Sequence, residues 1–287
     1  MNSTSFSIAL NQSNVVSGTS NSIYEYVFPS GGVKFTKGFA VALQSLNLYY
    51  SWPNISASQG NNTFSYIWPV GPTTVNITVP TGFYTIAELN SYLQYIMVQN
   101  GHYLINSSGN YVYYLELTTN SSLYAVQFNS YPIPTALPAG YTAPGSWPGY
   151  PVVASTPQLV VPATNFRNLI GFAAGTYPTV VQATTYSATS SFTPQVSPVS
   201  SVFMLVNLVN NKYAIPNSIL YNFSPNVTYG STISVIPPYL VYSKIQEGNY
   251  TSIRVSFVDQ NFAPLNILDS NLTILLAIRP PEEKVIL

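Results

Sequence analysis

Few side chains in this sequence could carry out acid–base or metal chemistry. His102 is the single histidine, and there is no cysteine among the 287 residues. One chain can therefore assemble neither a Ser/His/Asp relay nor a metal site made of several histidines or thiolates. His102 follows the end of a predicted helix, where a polar residue is ordinary. The sequence predicts no catalytic, cofactor-binding or metal-binding residues.

Asp259 and Asp269 flank a predicted turn between two strands. Two carboxylates in one place can act as acid and base or hold Ca²⁺. An Asp beside Asn in a hairpin loop more often stabilises the turn through its own side chain, and no phosphate loop or nucleophile elbow occurs elsewhere. Glu282 and Glu283 are expected to form a solvated end. We therefore predict that the protein is not an enzyme and has no cofactor.

The fraction of charged residues is unusually low. It is 6%, with eight basic and eight acidic side chains that cancel, whereas an ordinary soluble domain has about 25%. A neutral surface favours association, so the composition predicts a protein largely covered by neighbouring subunits. The basic residues are scattered singly, which argues against nucleic acid as a direct partner because phosphate binding needs a basic patch.

The sequence shows no sign of membrane insertion or export. Its start, MNSTSFSIALNQ, lacks the basic and long apolar regions of a signal peptide. No apolar run approaches the roughly 18 residues that a membrane span needs. We expect a protein made and used inside a cell, or in a particle assembled there.

Short alternating runs of Val, Ile, Tyr and Phe, closed by Pro, Gly or Asn, predict strands. The clearest are 22–28, 39–50, 74–79, 111–117, 123–128, 202–209, 232–236, 252–258 and 272–278. One helix is predicted over 86–99, with Thr85 and Glu88 as a capping box and Ile86, Leu89, Leu93 and Ile96 on its buried face. A shorter helical turn is predicted at 165–169. Strands and helices do not alternate, so the pattern indicates an antiparallel all-β protein with a helical insertion.

Residues 131–162 are crowded with Pro, Gly and aromatic residues. The stretch is too rich in Pro for a central strand and too long for an ordinary loop. One interpretation is a surface excursion that covers a sheet edge. The other is a protruding or interface element with exposed aromatic anchors. Its candidate interface residues are Tyr131, Tyr141, Trp147 and Tyr150.

Several segments, in this order, resemble one known family. NSIYEYVFP, FAVALQSLNLYYSWPNIS and VPTGFYTIAELNSYLQYIMVQNG are similar to the penton proteins of virophages and Maverick/Polinton-type viruses. FRNLIGFAAGTYP resembles the family's short turn ending in a Gly-Phe pair, here Gly171 and Phe172. PVSSVFMLVNLVNN and YTSIRVSFVDQNFAPLNILDSNLTILLAI resemble its closing strands and hairpin. The order and spacing of these segments carry the resemblance, since none of them contains a chemical motif.

From the sequence pattern we expect a short helical insertion and a Pro-rich inserted loop or subdomain at 130–162. The resemblance implies a single jelly-roll β-sandwich over residues 1–287. It also implies a penton subunit that closes the fivefold vertices of an icosahedral virion as a homopentamer. The major capsid protein would then be its neighbour, and the virion its location. A host receptor or glycan is left open as a further partner. Residues 1–15 or residues 280–287 are expected to order only on assembly.

Two other functions remain open from the sequence. The first is another minor capsid or spike protein of the same lineage, for which a trimer would be diagnostic. The second, from a different class, is a carbohydrate-binding adhesin module that uses exposed Trp52, Trp68 and Trp147 as stacking platforms.

Overall fold

The computed structural model describes residues 5–281, which form two compact units. The sandwich unit comprises the described residues up to Pro53 together with those from Val199 onward, and the inserted unit is Asn54–Pro198. The Pro-rich stretch lies wholly within the inserted unit. The single domain over 1–287 and the insertion limited to 130–162 both stay predictions.

Twenty strands, two α-helices and two short 3-10 turns occur among the described residues. Before the insertion come β1 (Phe6–Asn11), β2 (Ile23–Val27), β3 (Val33–Phe35) and β4 (Ala40–Tyr49), with 3-10 turns at Gln12–Asn14 and Pro29–Gly31. The inserted unit contains β5 (Thr63–Trp68), β6 (Thr73–Thr78), α1 (Ile86–Gln99), β7 (Leu104–Ile105), β8 (Tyr111–Val112), β9 (Leu115–Asn120), β10 (Ala125–Ser130), β11 (Gln158–Val161), α2 (Phe166–Ile170), β12 (Gly175–Tyr177) and β13 (Tyr186–Thr189). After it come β14 (Val202–Val206), β15 (Ile219–Phe223), β16 (Thr232–Val235), β17 (Ser243–Lys244), β18 (Gly248–Tyr250), β19 (Ser252–Asp259) and β20 (Leu272–Arg279).

The sandwich unit is a jelly roll. Its two main sheets have the strand orders β1-β20-β4-β16, with β17 beside β4, and β15-β14-β19-β2. Among its eight longer strands the first pairs with the last, the second with the seventh, the third with the sixth and the fourth with the fifth, all antiparallel. Such nested pairing arises when one long antiparallel ribbon is folded over into two sheets, and it defines the double Greek key of a jelly roll. The predicted all-β, single jelly-roll fold is confirmed.

The core of the sandwich unit follows from the two-residue period of its strands. In β19, Ile253, Val255 and Phe257 are buried, whereas Arg254 between the first two is exposed. The central strands β4 and β20 are buried along most of their length. Tyr24 of β2 packs edge-on against Phe257, with 6.2 Å between ring centroids. Alternating β-branched and aromatic residues thus supply one apolar face to each sheet.

The inserted unit contains two further antiparallel sheets, β12-β11-β5-β6 and β13-β10-β9, and the two-stranded β7-β8 ribbon. Helix α1 has the predicted bounds because its start is fixed locally: the Glu88 backbone N–H donates to Thr85 Oγ1 (3.2 Å), and the Thr85 N–H donates to Glu88 Oε2 (2.7 Å). Ile86, Leu89 and Leu93 are buried as predicted. The last turn buries Met97, whereas Ile96 is half-buried against the same core.

Two further sequence predictions need correction. The predicted strand 111–117 is two strands, β8 and β9, because the chain leaves the extended ladder between Val112 and Leu115. Residues 6–11 are paired within the single chain as β1, so the expectation that 1–15 order only on assembly is wrong for them. Residues 282–287, with Glu282 and Glu283, lie outside the described residues.

Candidate interaction surfaces

The aromatic residues of the Pro-rich stretch contribute to the core of the inserted unit. Trp147 packs edge-on against the fully buried Trp68, with 5.7 Å between ring centroids, and contacts Tyr150 at 5.4 Å. Tyr131 and Tyr141 are half-buried against the same apolar cluster. The expectation that Tyr141, Trp147 and Tyr150 are exposed is therefore wrong. The role of these residues at an interface stays a prediction.

Backbone pairing explains why the stretch folds inward. The N–H of Thr142 donates to the carbonyl of Ile105 at 2.8 Å, and the N–H of Ile105 donates back at 2.9 Å. Ile133 and Ser155 pair across the stretch in the same way. The first pairing attaches the stretch to the rest of the unit and the second closes the stretch on itself, and its aromatic rings fill the unit's own interior.

The tryptophans proposed as sugar platforms are unsuited to that role. Trp52 and Trp68 are buried, and the indole N–H of Trp147 is buried and has no hydrogen-bond partner among the described residues. A glycan cannot stack on a ring that other side chains cover. The adhesin alternative is wrong in naming these three residues.

His102 is buried in the inserted unit, although the sequence suggested only a polar residue after α1. Its ring lies parallel to the indole of Trp68, 4.1 Å away, and its Nδ1 is 2.7 Å from the hydroxyl of Tyr66. Burial lowers the pKa of His102 from 6.5 to about 4 and raises the pKa of Tyr66 above its usual value. The neutral phenol can therefore donate to a neutral imidazole, and the pair satisfies its polar atoms inside an apolar core.

Asp259 and Asp269 stabilise turns. Asp259 Oδ1 accepts hydrogen bonds from the backbone N–H groups of Asn261 (2.8 Å) and Ala263 (2.9 Å). Asp269 Oδ1 accepts one from the N–H of Asn271 (2.8 Å). These are the Asx-type contacts that the sequence favoured over catalysis. Within residues 5–281, no group of three or more His, Cys, Asp or Glu side chains could hold a metal ion.

Several of the most exposed apolar side chains lie directly beside prolines, although Tyr124 (74% exposed) and Tyr213 do not. In the sandwich unit, Tyr213 and Ile215 are 88% and 91% exposed, and Ile236 and Tyr239 are 73% and 71% exposed. In the inserted unit Val152 is 97% exposed. A proline cannot donate to a strand ladder, so apolar residues next to Pro216, Pro237–Pro238 and Pro151 remain outside the sheets. The sequence carries this signal in its Ile215-Pro216, Ile236-Pro237 and Pro151-Val152 pairs, which the prediction of exposed aromatic anchors at 131–162 did not use.

Residues 236–241 form a continuous exposed apolar segment between β16 and β17, which we call the IPPYLV segment. Ile236, Tyr239 and Val241 are each more than half exposed, and Leu240 is exposed to 39%. Single exposed apolar residues are ordinary, but a contiguous group is typical of a contact surface. The segment contains no charged residue, so burying it against a partner would not require the desolvation of a charge.

Comparisons with known proteins give matches among solved structures only. No family model matches the chain, and no curated protein matches it. Among solved structures, the crystal structure of the mavirus penton protein has a TM-score of 0.40 and 9% identity, covering 97% of this chain and 100% of that chain. The cryo-EM structure of the Sputnik virophage has a TM-score of 0.36 and 12% identity, covering 96% of this chain and 97% of that one. At these TM-scores, neither likeness carries weight in the proposals below.

The helices among the described residues are too short or too polar to cross a membrane.

Proposed function

We propose that this chain is a non-enzymatic capsid protein, the penton subunit that closes the fivefold vertices of an icosahedral virion. It would act as a homopentamer in contact with the major capsid protein, in virions assembled in the infected host cell. The observation that carries this proposal is the nested pairing of the eight longer strands, because jelly rolls with this topology are widely used as viral capsid subunits. The sequence resemblance to penton proteins supports the finer assignment to the vertex.

The surface composition suits a protein that works by contact. A fivefold ring repeats one patch pair five times and closes on itself, so each subunit needs two complementary patches. Charges of one sign brought together around such an axis would repel each other, and only 6% of the residues are charged. Exposed apolar side chains such as Tyr213, Ile215 and those of the IPPYLV segment offer area that neighbours could bury.

Mass and shape in solution test the proposal. Size-exclusion chromatography with light scattering, followed by negative-stain images of the purified chain, should show a particle of five subunits arranged as a ring. A trimer would instead favour another minor capsid or spike protein of the same lineage. A chain that stays monomeric at the highest concentration reached, and also when mixed with the major capsid protein, would overturn the vertex assignment.

A further inference from the structure

The inserted unit contains a pocket of about 310 Å³ beside the turn between β9 and β10. Its base is apolar, with Ile86 at the start of α1 and Val126 of β10, both buried. One wall is the β9–β10 turn, and the other is the segment 194–197. This volume is at the lower end of the range of about 300–1,000 Å³ that small-molecule sites occupy.

Hydrogen bonds hold one wall and the base of the pocket in place. The buried Asn54 side chain donates from Nδ2 to the carbonyl of Val196 at 2.7 Å, and its Oδ1 accepts from the N–H of Tyr84 at 2.8 Å. Ser190 pairs with Val126, donating from its N–H to the carbonyl of Val126 at 2.8 Å and accepting the N–H of Val126 on Oγ at 3.1 Å. The pocket is thus preformed, which lowers the cost of ordering it around a ligand.

Tyr124 is an aromatic residue in the pocket lining. It is 74% exposed, and its backbone has φ +48°, in the left-handed region. That conformation is uncommon for a residue with a bulky side chain, and strain of this kind concentrates at binding sites. The turn is closed by the Tyr124 N–H donating to the Ser121 carbonyl at 3.4 Å. The fold therefore keeps this ring at the surface, outside the unit's core.

The remaining lining is polar and uncharged. Thr119, Ser121 and Ser197, which carry hydroxyl groups, and Asn120, which carries an amide, are among the lining residues, and none of the lining residues is charged. The three hydroxyl groups make no side-chain hydrogen bond with other described residues, so they can donate to or accept from a ligand. An uncharged lining gives no compensation for a buried ion, which disfavours phosphates, carboxylates and cations.

We propose that this pocket binds one neutral sugar residue of a glycan. A pyranose ring has an apolar C–H face that can stack on the Tyr124 ring and a rim of hydroxyl groups that can pair with Ser and Thr hydroxyls. An aromatic surface beside a few polar groups is the lining typical of small-ligand sites. The size of the pocket fits a single terminal sugar. The site is independent of the vertex assignment and of Trp52, Trp68 and Trp147.

Glycan-array binding by the full chain tests this proposal, followed by titration of the retained glycans against three variants. Tyr124→Gly removes the ring and suits the positive φ, so it should fold at least as well as the native chain. It should weaken binding about tenfold or more. Tyr124→Phe keeps the ring and should retain most of the affinity. Tyr95→Ala removes another exposed tyrosine of the inserted unit, 54% exposed on α1, and should leave binding unchanged.

Three outcomes would overturn the site: no neutral glycan is retained, only charged glycans are retained, or Tyr124→Gly binds as tightly as the native chain. Oligomeric state is measured separately. A ring of five subunits that binds no glycan would contradict the sugar site and leave the vertex assignment intact. A monomer that binds glycans would contradict only the vertex assignment.

Discussion

Lowering the pH should destabilise the inserted unit through His102. The imidazole is 5% exposed, and burial lowers its pKa from 6.5 to about 4. Above pH 6.5 the ring is neutral in both the folded and the unfolded chain, so it contributes no pH dependence. Between pH 6.5 and about 4 the unfolded chain binds a proton that the folded chain does not. The free energy of unfolding must therefore fall as the pH falls through this window.

The size of the effect follows from the shift. Each pKa unit corresponds to about 1.4 kcal/mol, so the shift from 6.5 to about 4 sets a ceiling of about 3 kcal/mol. The parallel indole of Trp68, 4.1 Å away, would stabilise an imidazolium by about 1 kcal/mol. We expect a net loss of about 2 kcal/mol between pH 7.5 and pH 4.

Urea unfolding at both pH values measures this loss, followed by tryptophan fluorescence, to which Trp68 and Trp147 of the inserted unit contribute together with Trp52 of the sandwich unit. His102→Gln is the matched control, because its amide can still accept from the Tyr66 hydroxyl but does not titrate. Carboxylates such as Glu88, whose pKa is lowered by hydrogen bonds from Thr85, titrate in both proteins and cancel in the comparison. If the native chain and the variant lose the same stability on acidification, the assignment of the effect to His102 is refuted.

Three further predictions concern the cap, the turns and the surface. Thr85→Ala should remove the cap of α1 and lower the free energy of unfolding by about 1 kcal/mol, measured by urea denaturation; an unchanged value would contradict the role of the cap. Asp259→Ala should cost about 1–2 kcal/mol because two turn N–H groups lose their acceptor, whereas adding Ca²⁺ or a chelator to the native chain should leave Tm unchanged; a rise with Ca²⁺ would indicate a metal site. The double change of Ile236 and Tyr239 to Ser should alter the stability of the single chain by no more than about 0.5 kcal/mol yet weaken self-association in sedimentation velocity. Val27→Ser, at a valine 69% exposed on β2, is the control, and equal association of both variants would exclude the IPPYLV segment as a contact.

The elements predicted correctly are those whose signals are local. The bounds of helix α1 are predictable because its start is fixed by the capping box of Thr85 and Glu88 and its end by Asn100 and Gly101, both of which are local signals. Strands β19 and β20 were predicted because each has a long, regular pattern. Strand β5 was missed, although Phe64, Tyr66 and Trp68 alternate there and are all buried.

The surface was predicted less well because burial depends on distant partners. Trp147 is half-buried because it packs against Trp68, which is distant in sequence. No residue near position 147 indicates that contact. His102 is buried for the same reason. Similarly, the sequence cannot show that the jelly-roll strands are interrupted between β4 and β14. The exposure of apolar residues next to proline is predictable, because a proline limits backbone pairing in its immediate neighbourhood.

The nested pairing of the jelly roll also dictates an order of events during synthesis. Phe6 of β1 pairs with Ile278 of β20, so the outermost strand pair of the sandwich unit cannot form until residue 278 has left the ribosome. Every sheet of the inserted unit, by contrast, is complete within residues 54–198. Since contacts between distant residues form slowly and domains fold as units during translation, the inserted unit can be native while β1–β4 still await their partners. Over that interval the apolar faces of β1 and β4 are open to other nascent chains, so the rate of translation past residue 198 should influence the yield of soluble protein.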